Sequence, residues 1–556
     1  MNSPNPALVT QRAAQPIPRF ALLLFCAAYV LPGLFGRDPW KSADITAFGY
    51  MAGIASGRTP WLAPTVGGLP ADAALLPYWL GAAFIKLLGP WVEPAAAARI
   101  PFALLLIVVL VLTWYAAYHL ARTEAAQPLP FAFGGEASPT DYARAIADGA
   151  LLALIASLGL LQLGHETTPE LAQLASVALF VYALAASPFR GLQPRLAGLV
   201  ALPALAASGA PSIALALGVV GAVICQRSSY ETARHFVRWI VASLALALIV
   251  ATALGAWGWR VGATDITPAR VWELLRLLAW FTWPAWPLAL WTAWRWRGQL
   301  SDRHIAIPLG CGGVAVFACL TMGGSDRALM LALPPLAVLA AFALPTLQRS
   351  TAAAIDWFSV FFFSVGGIVI WVVYVSIQTG VPAQPAINIA RLAPGYAPSF
   401  SLFALGLATL GTAAWLWLVK WRTGRSRHPL WKSLVLPASG VALCWLLLMT
   451  LLLPPLDHAR SYRSQVQRIA LHVPNRSCVA APDMPTAQVA ALEYHGGYRV
   501  DATADAAQHG CAFLLLTETL REPRPAGPGW RLMARERRNT SEQEITAVYR
   551  RTPAAR

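Results

Sequence analysis

The sequence predicts an all-α polytopic membrane bundle of about 13 transmembrane helices, with a long first outer loop and a small C-terminal α/β soluble domain. Three observations predict it. Apolar runs long enough to cross a bilayer recur along most of the chain. Basic residues gather in short clusters between those runs. Beyond residue 456 the apolar runs stop, and a mixed polar pattern with strand-like and helix-like segments takes over.

Composition excludes a soluble fold. Of 556 residues, 57% are hydrophobic and only 12% are charged, whereas about a quarter of an ordinary soluble domain is charged. Such a chain would need a very large core and almost no surface. The net charge of +16 raises nucleic acid as a partner. The basic residues form no stripe, however, and alternate with apolar runs as span-anchoring loops do. No nucleic acid is therefore expected.

A span needs about 20 mostly apolar residues, somewhat fewer inside a bundle. The candidates are 20–36, 101–121, 146–163, 171–187, 193–208, 210–225, 236–257, 273–294, 304–322, 328–345, 356–376, 399–419 and 432–453. The first follows Arg12 and Arg19 without a small-residue cleavage site, so it reads as an uncleaved span. The run 75–91 holds Pro77, Lys86 and Gly89, and charge decides its place. If it lies flat in the interface, one face receives Arg122 and Arg144, Arg190 and Arg195, Arg227 to Arg238, Arg295 to Arg303, and Lys420 to Lys432. The other face receives the poorly basic loops 164–170, 258–270 and 377–398. The positive-inside rule then puts the N-terminus in the cytoplasm and the tail outside.

In the tail, 477–481 and 511–517 read as short buried strands, 487–494 as a helix stopped by Gly496 and Gly497, and 530–535 with 545–549 as a closing hairpin. Of seven cysteines, only Cys478 and Cys511 lie there. They begin the two candidate core strands, and an outer compartment is oxidising, so a disulfide between them is expected. Two buried free thiols are the alternative.

Ionisable residues at the edge of a membrane bundle are candidates for function. The first outer loop opens GRDPWKSAD, placing Asp38, Lys41 and Asp44 just after the first span. Asp44 begins an apparent short helix, where the dipole favours a carboxylate. The plainer reading makes Asp44 or Ser42 an N-cap. The loop GHETTPE offers His165, Glu166 and Glu170. Here Thr167 or Thr168 could cap, Pro169 take the first turn and Glu170 complement the dipole. Alternatively Glu170 and His165 meet a sugar hydroxyl or hold a divalent metal, the one cofactor the sequence suggests. Arg99, Arg327, Arg391, Arg460 and Arg463 fall on the outer side, against the positive-inside trend. Arginine there suits a phosphate, because its planar fork matches phosphate oxygens.

The order of features along the first outer loop resembles the bacterial aminoarabinose transferases and the related protein mannosyltransferases. The matching residues are the acid Asp44, then Ser56–Gly57 with Trp61 and Pro64, then Tyr78–Leu80, then Ala97–Arg99. Pro169–Glu170 and the segment from Arg327 through ALMLALPPLAVLAA are also similar to that family. The family's Asp-Glu pair is reduced here to Asp44, and its Glu-Lys-Pro is replaced by Asp72 and Leu75-Leu76-Pro77, with Lys41 the nearest substitute lysine.

The resemblance implies a transmembrane glycosyltransferase domain over 1–456, with 37–100 as a first periplasmic loop carrying interfacial helices, and a periplasmic α/β domain over 457–556. It implies a hexosyl- or pentosyltransferase of the C-type fold in the bacterial inner membrane, with the N-terminus cytoplasmic. The donor would be a polyprenyl-phosphate sugar, the acceptor a lipid, glycan or protein, and transfer would invert the anomeric carbon. Asp44 would be catalytic, as base or orienting group. Lys41, Arg99, His165, Glu170, Arg327 and Arg460 would bind substrate. The chain would work as a monomer among membrane lipids. A secondary transporter would instead show paired repeats with broken helices and midplane charges, and a non-catalytic scaffold would not need these charges to converge.

Overall fold

The computed structural model describes residues 7–40, 42–258, 267–423, 429–508, 510–519, 525–537 and 545–552. The chain is mostly helical and ends in a small sheet. In chain order the first helices are α1 (Arg19–Val30), α2 (Ala43–Ala55), α3 (Leu75–Leu88), α4 (Pro94–Ala121), α5 (Pro139–Ala156), α6 (Leu158–Leu163) and α7 (Pro169–Ala186). Then follow α8 (Leu192–Ala207), α9 (Pro211–Gln226), α10 (Glu231–Ala253), α11 (Pro268–Phe281), α12 (Ala285–Arg295), α13 (Arg303–Thr321), α14 (Asp326–Met330) and α15 (Leu333–Ala343). The remainder are α16 (Arg349–Thr379), α17 (Ala383–Leu392), α18 (Leu402–Thr423), α19 (Lys432–Leu451), α20 (Leu453–Arg460), α21 (Arg463–Ile469) and α22 (Thr486–His495).

Among the described residues, seven helices are long and apolar enough to cross a membrane: α4, α7, α10, α13, α16, α18 and α19. The expected count of about 13 is not reached by this measure. Several expected spans are shorter or interrupted. The run 20–36 stops at Val30, just before Pro32 and a Gly33 held at φ +80°. The run 146–163 starts early, because Ser138 caps Asp141 N at 3.2 Å and Pro139 takes the first turn. It then breaks at Ser157, whose backbone is extended. The run 273–294 is split at Thr282–Pro284 into α11 and α12, and 328–345 is split between Met330 and Leu333, ahead of Pro334 and Pro335. Hydropathy does not register such breaks, since the residues on both sides stay apolar. The helix α3, at 14 residues, is about 21 Å long, too short for a ~30 Å hydrocarbon core.

The chain divides into two compact units. The first comprises Met1–Pro32, Phe102–Ile368 and Gly406–Leu448. Within it α10 packs on α8 and α9, α7 on α8, α13 on α9 and α15, and α15 on α5 and α12. Small residues allow these approaches. A Cβ on Gly218 would stand 2.3 Å from Leu244, and one on Gly221 2.8 Å from Phe180.

The second unit comprises Gly33–Pro101, Val369–Leu405 and Met449–Arg556. Its sheet contains β3 to β7, preceded in the chain by the ribbon β1 (Thr65–Val66) and β2 (Leu69–Pro70). The five strands are β3 (Cys478–Ala480), β4 (Arg499–Asp501), β5 (Phe513–Glu518), β6 (Trp530–Arg537) and β7 (Ile545–Arg551), in the order β4-β3-β5-β7-β6. The strand β3 is parallel to β4 and β5, while β7 is antiparallel to β5 and β6. The expected strands, helix and hairpin of the tail are present, and β4 is an addition. Cys478 and Cys511 are disulfide-bonded, with Cα atoms 5.1 Å apart.

The first loop packs on this sheet region. The helix α2 lies against α22, where a Cβ on Gly49 would meet the Ala490 Cβ at 2.6 Å. The ribbon turns on Gly67 and Gly68, both at positive φ, as a two-residue hairpin requires. At its tip Gly67 O accepts from Ala502 N at 2.8 Å, and Gly67 N donates to Glu493 Oε1 at 3.0 Å.

Candidate functional site

Two clusters of charge hold the candidate residues, one in each unit. In the second unit the segment 33–44 runs straight into α2. Ser42 occupies the N-cap position but makes no side-chain cap. Asp44, in the first turn, instead reaches back to the segment before the helix: its Oδ2 accepts from Trp40 N at 3.0 Å. The same oxygen lies 3.4 Å from Arg37 Nη1, and the Arg37 and Asp44 side chains are 2% and 0% exposed. Arg37 also donates to Gly33 O at 2.8 Å. Asp44 thus stands in the first turn, where the helix dipole favours a carboxylate, and not at the N-cap, which is Ser42.

Arg99, in the first turns of α4, is buried and donates to Arg37 O at 2.6 Å and Leu34 O at 3.4 Å. It therefore braces the backbone that carries Arg37, within electrostatic reach of Asp38, Asp44 and Asp457. Arg460, at the end of α20, lies over the Trp40 ring 5.0 Å from its centroid, and Arg37 lies 4.7 Å from the same ring's centroid. Trp40 Nε1 donates to Asp457 Oδ1 at 2.8 Å, as does Asp38 N. The geometry brings Asp44, Arg99 and Arg460 into one neighbourhood, with Arg37 and Trp40 as the connecting residues. Lys41 lies outside the described residues.

Asp38 forms the next layer. It accepts from Ser461 Oγ at 2.7 Å and from Arg463 Nε at 2.8 Å, with a second Arg463 contact completing a fork. Burial alone would raise the Asp38 carboxyl, but the Arg463 and Ser461 hydrogen bonds outweigh it and hold the group below the usual carboxylate range. Asp457 moves the other way, pushed up by burial and by the neighbouring Asp38 charge. Beside them His495 is pushed down to about 4, mainly by burial, and its Nε2 is buried without a hydrogen-bond partner among the described residues.

In the first unit the cluster centres on Arg327, in α14. Its guanidinium reaches Glu166 Oε2 at 2.6 Å, Thr168 Oγ1 at 3.0 Å and Glu170 Oε2 at 3.3 Å. Burial would lower the Arg327 pKa, but the Glu166 and Glu170 carboxylates outweigh it and raise it. Thr168 sits at the N-cap position of α7 with Pro169 and Glu170 following, as the capping reading expects. Its hydroxyl, however, serves Arg327 and makes no cap. His165 points elsewhere. Nδ1 lies 2.7 Å from Leu161 O and Nε2 2.9 Å from Tyr29 O, and the ring packs on Trp445. Glu170 is thus matched to a cation and His165 to carbonyls. Among the described residues no three His, Cys, Asp or Glu side chains are grouped as metal ligands. That donor set, with Glu170 on Arg327 and His165 on carbonyls, does not fit a divalent metal.

Sequence reasoning named neither Arg37, Trp40 and Asp457 nor the role of Glu166. Arg37 and Trp40 stand in the GRDPW run, and Asp457 is the first acid after the last apolar run. An acid at such a boundary is the signal that was available.

No protein-family model and no curated protein matches the sequence. Solved structures do. The chain is similar to ArnT from Cupriavidus metallidurans, crystallised bound to undecaprenyl phosphate and in the apo state. Each comparison gives a TM-score of 0.61 at 14% identity and covers 95% of this chain and 96% of that one. The likeness that the first outer loop suggested therefore holds as a shared fold along nearly the whole chain.

Proposed function

We propose that the protein is a membrane glycosyltransferase of the C-type fold, moving a sugar from a polyprenyl-phosphate donor to a lipid, glycan or protein acceptor. The observation that carries this reading is the fold shared from end to end with a protein that binds undecaprenyl phosphate. The buried Arg37–Asp44 pair supports it, because it sets an acid beside cations at the head of the first loop. The enzyme would work at the periplasmic face of the bacterial inner membrane, with the N-terminus in the cytoplasm and the tail in the periplasm.

In the proposed reaction the donor phosphate enters the neighbourhood of Arg37, Arg99 and Arg460. Arg37 gains a second anion to hold and loosens its grip on Asp44. Asp44 then accepts, or orients, the acceptor hydroxyl proton. The acceptor oxygen attacks the anomeric carbon from the face opposite the phosphate, so the configuration inverts. The bond from the anomeric carbon to the phosphate oxygen breaks, and its electron pair leaves with polyprenyl phosphate. The arginines stabilise the charge that develops there. Arg327, held by Glu166 and Glu170, would supply a second cationic or sugar-contacting position, and Lys41 is a further proposed contact, whereas His165, engaged by the Leu161 and Tyr29 carbonyls, is not.

The test is purified full-length protein with a panel of polyprenyl-phosphate sugars and candidate acceptors. Release of polyprenyl phosphate coupled to acceptor labelling supports the reading and names the sugar. Binding of polyprenyl phosphate without turnover of any donor would turn it toward a non-catalytic lipid carrier.

A further inference from the structure

At the end of α7 opposite Glu170 lies a cavity of about 420 Å³, lined by Ser187, Arg190, Arg195, His235, Arg238 and Trp239 among others. The 18 residues of α7 place it about 27 Å from the Glu166–Arg327 cluster, roughly one hydrocarbon thickness away. It belongs wholly to the first unit and takes no part in the proposed reaction.

Its chemistry is cationic and unmatched. Arg190, Arg195 and Arg238 have no carboxylate partner among the described residues. The nearby acid Glu231 is turned to His235, 3.4 Å away. The N-terminal end of α8 opens into the cavity through Gly191 and Pro194, and helix starts favour anions. Trp239 adds an independent sign. Its indole Nε1 is buried with no acceptor among the described residues, although the Arg195 guanidinium lies 6.0 Å from its ring centroid. A buried N–H that lacks an acceptor beside three uncompensated arginines is a site waiting for oxygen atoms that carry negative charge. The floor is fixed by Arg303, which is buried and donates to Leu184 O and to Ser187 Oγ at 3.0 Å. Leu192, Leu196 and Val241, on the helices that form the rim, are more than half exposed. Acyl chains would run along that apolar surface while a headgroup filled the cavity.

We propose that this cavity binds the phosphate headgroup of an anionic membrane phospholipid, at the end of α7 opposite the Glu166–Arg327 cluster. The arginines and the indole N–H hold the phosphate oxygens, and the α8 and α10 surfaces hold the chains. Basic pockets between membrane helices recognise anionic headgroups in this manner.

The experiment is native mass spectrometry of the full-length protein released from nanodiscs of phosphatidylcholine containing a minor share of phosphatidylglycerol. The wild type is expected to retain phosphatidylglycerol selectively. The variant R190Q/R195Q/R238Q should lose that retention by about tenfold or more, as removal of three headgroup cations predicts. Trp239→Phe should lose a smaller part, and the control R227Q/R234Q, which changes exposed arginines outside the lining, should lose none. Equal retention by wild type and the triple variant overturns the proposal, and so does an equal loss in the control. Displacement of phosphatidylglycerol by inorganic phosphate alone also overturns it, since the ligand would then be a free anion. Should the triple variant fail to fold, the single changes Arg195→Gln and Arg238→Gln carry the same comparison.

Discussion

Arg37 and Asp44 form an ion pair with both side chains withdrawn from solvent, seven residues apart and bridged by the Trp40 backbone. Removing one member of such a pair leaves the other charge buried and unmatched. Asp44→Asn is therefore expected to destabilise the second unit by about 3–5 kcal/mol as well as abolish transfer. Arg37→Met combined with Asp44→Leu should recover much of the stability and none of the activity. Thermal unfolding in detergent, set beside polyprenyl phosphate release, separates the two effects. A stable Asp44→Asn protein with wild-type turnover would remove Asp44 from both roles.

Glu166 and Glu170 share Arg327 unequally. Glu166 is nearly buried at 2.6 Å, whereas Glu170 is 18% exposed at 3.3 Å. Glu166→Gln should therefore lower the unfolding midpoint clearly more than Glu170→Gln, whose contribution is expected below about 1 kcal/mol. Arg327→Lys keeps the charge and loses the fork that also reaches Thr168, so it should behave more like Arg327→Ala than like wild type. Midpoints that rank Glu170 above Glu166 would contradict the geometry.

The disulfide is checked by counting thiols. Seven cysteines with Cys478 and Cys511 joined leave five free. Alkylation of the denatured, unreduced protein should add five labels, and seven after reduction. Closing a loop with a separation of 33 residues contributes about 3–4 kcal/mol in the chain-entropy account. The double change to serine should lower the stability of the tail sheet by up to that amount.

Stability should fall on acidification in two stages. His495, pushed down to about 4, stays neutral in the fold while the unfolded chain takes up a proton from about pH 6.5 downward. Stability is therefore full above that pH and is lost as pH falls toward 4. Asp38, held below its ordinary range by Arg463 and Ser461, contributes stability that is present above the unfolded carboxylate pKa and lost as pH falls further. His495→Phe should flatten the upper stage and leave the lower one. Unfolding midpoints measured from pH 8 to 3 would show both stages, and an unchanged upper stage in His495→Phe would locate its cause elsewhere.

The orientation is open to a direct measurement. Reporter fusions after Arg425 should report cytoplasm, and fusions after Asp457 should report periplasm. The same compartment for both would remove a crossing by α19 and relocate the tail.

The tail was legible because its signals are local: two glycines stop α22, and two cysteines open two strands. The acidic start of α2 was legible for the same reason. The partnerships were not. Asp38 meets Asp457 across 419 residues, and no local pattern announces that. Helix breaks at Ser157 and Thr282 were hidden because apolar residues continue on both sides. Thr168 shows the limit of capping rules, since position and hydroxyl were right while the hydroxyl's partner lies on α14.

The hairpin tip at Gly67 has a consequence for the order of synthesis. Its amide contacts Glu493, 426 residues further along. At about 5–20 residues per second, roughly 20–85 s separate the translation of the two. Throughout that interval the first loop has left the ribosome while the surface that receives Gly49 and Gly67 does not yet exist. The acidic head of α2 must therefore wait, incompletely packed, for the end of the chain. A truncation that spares every predicted span but removes α22 would leave the nascent loop without its dock, and the protein would be exposed to proteolysis at its beginning because of a loss at its end.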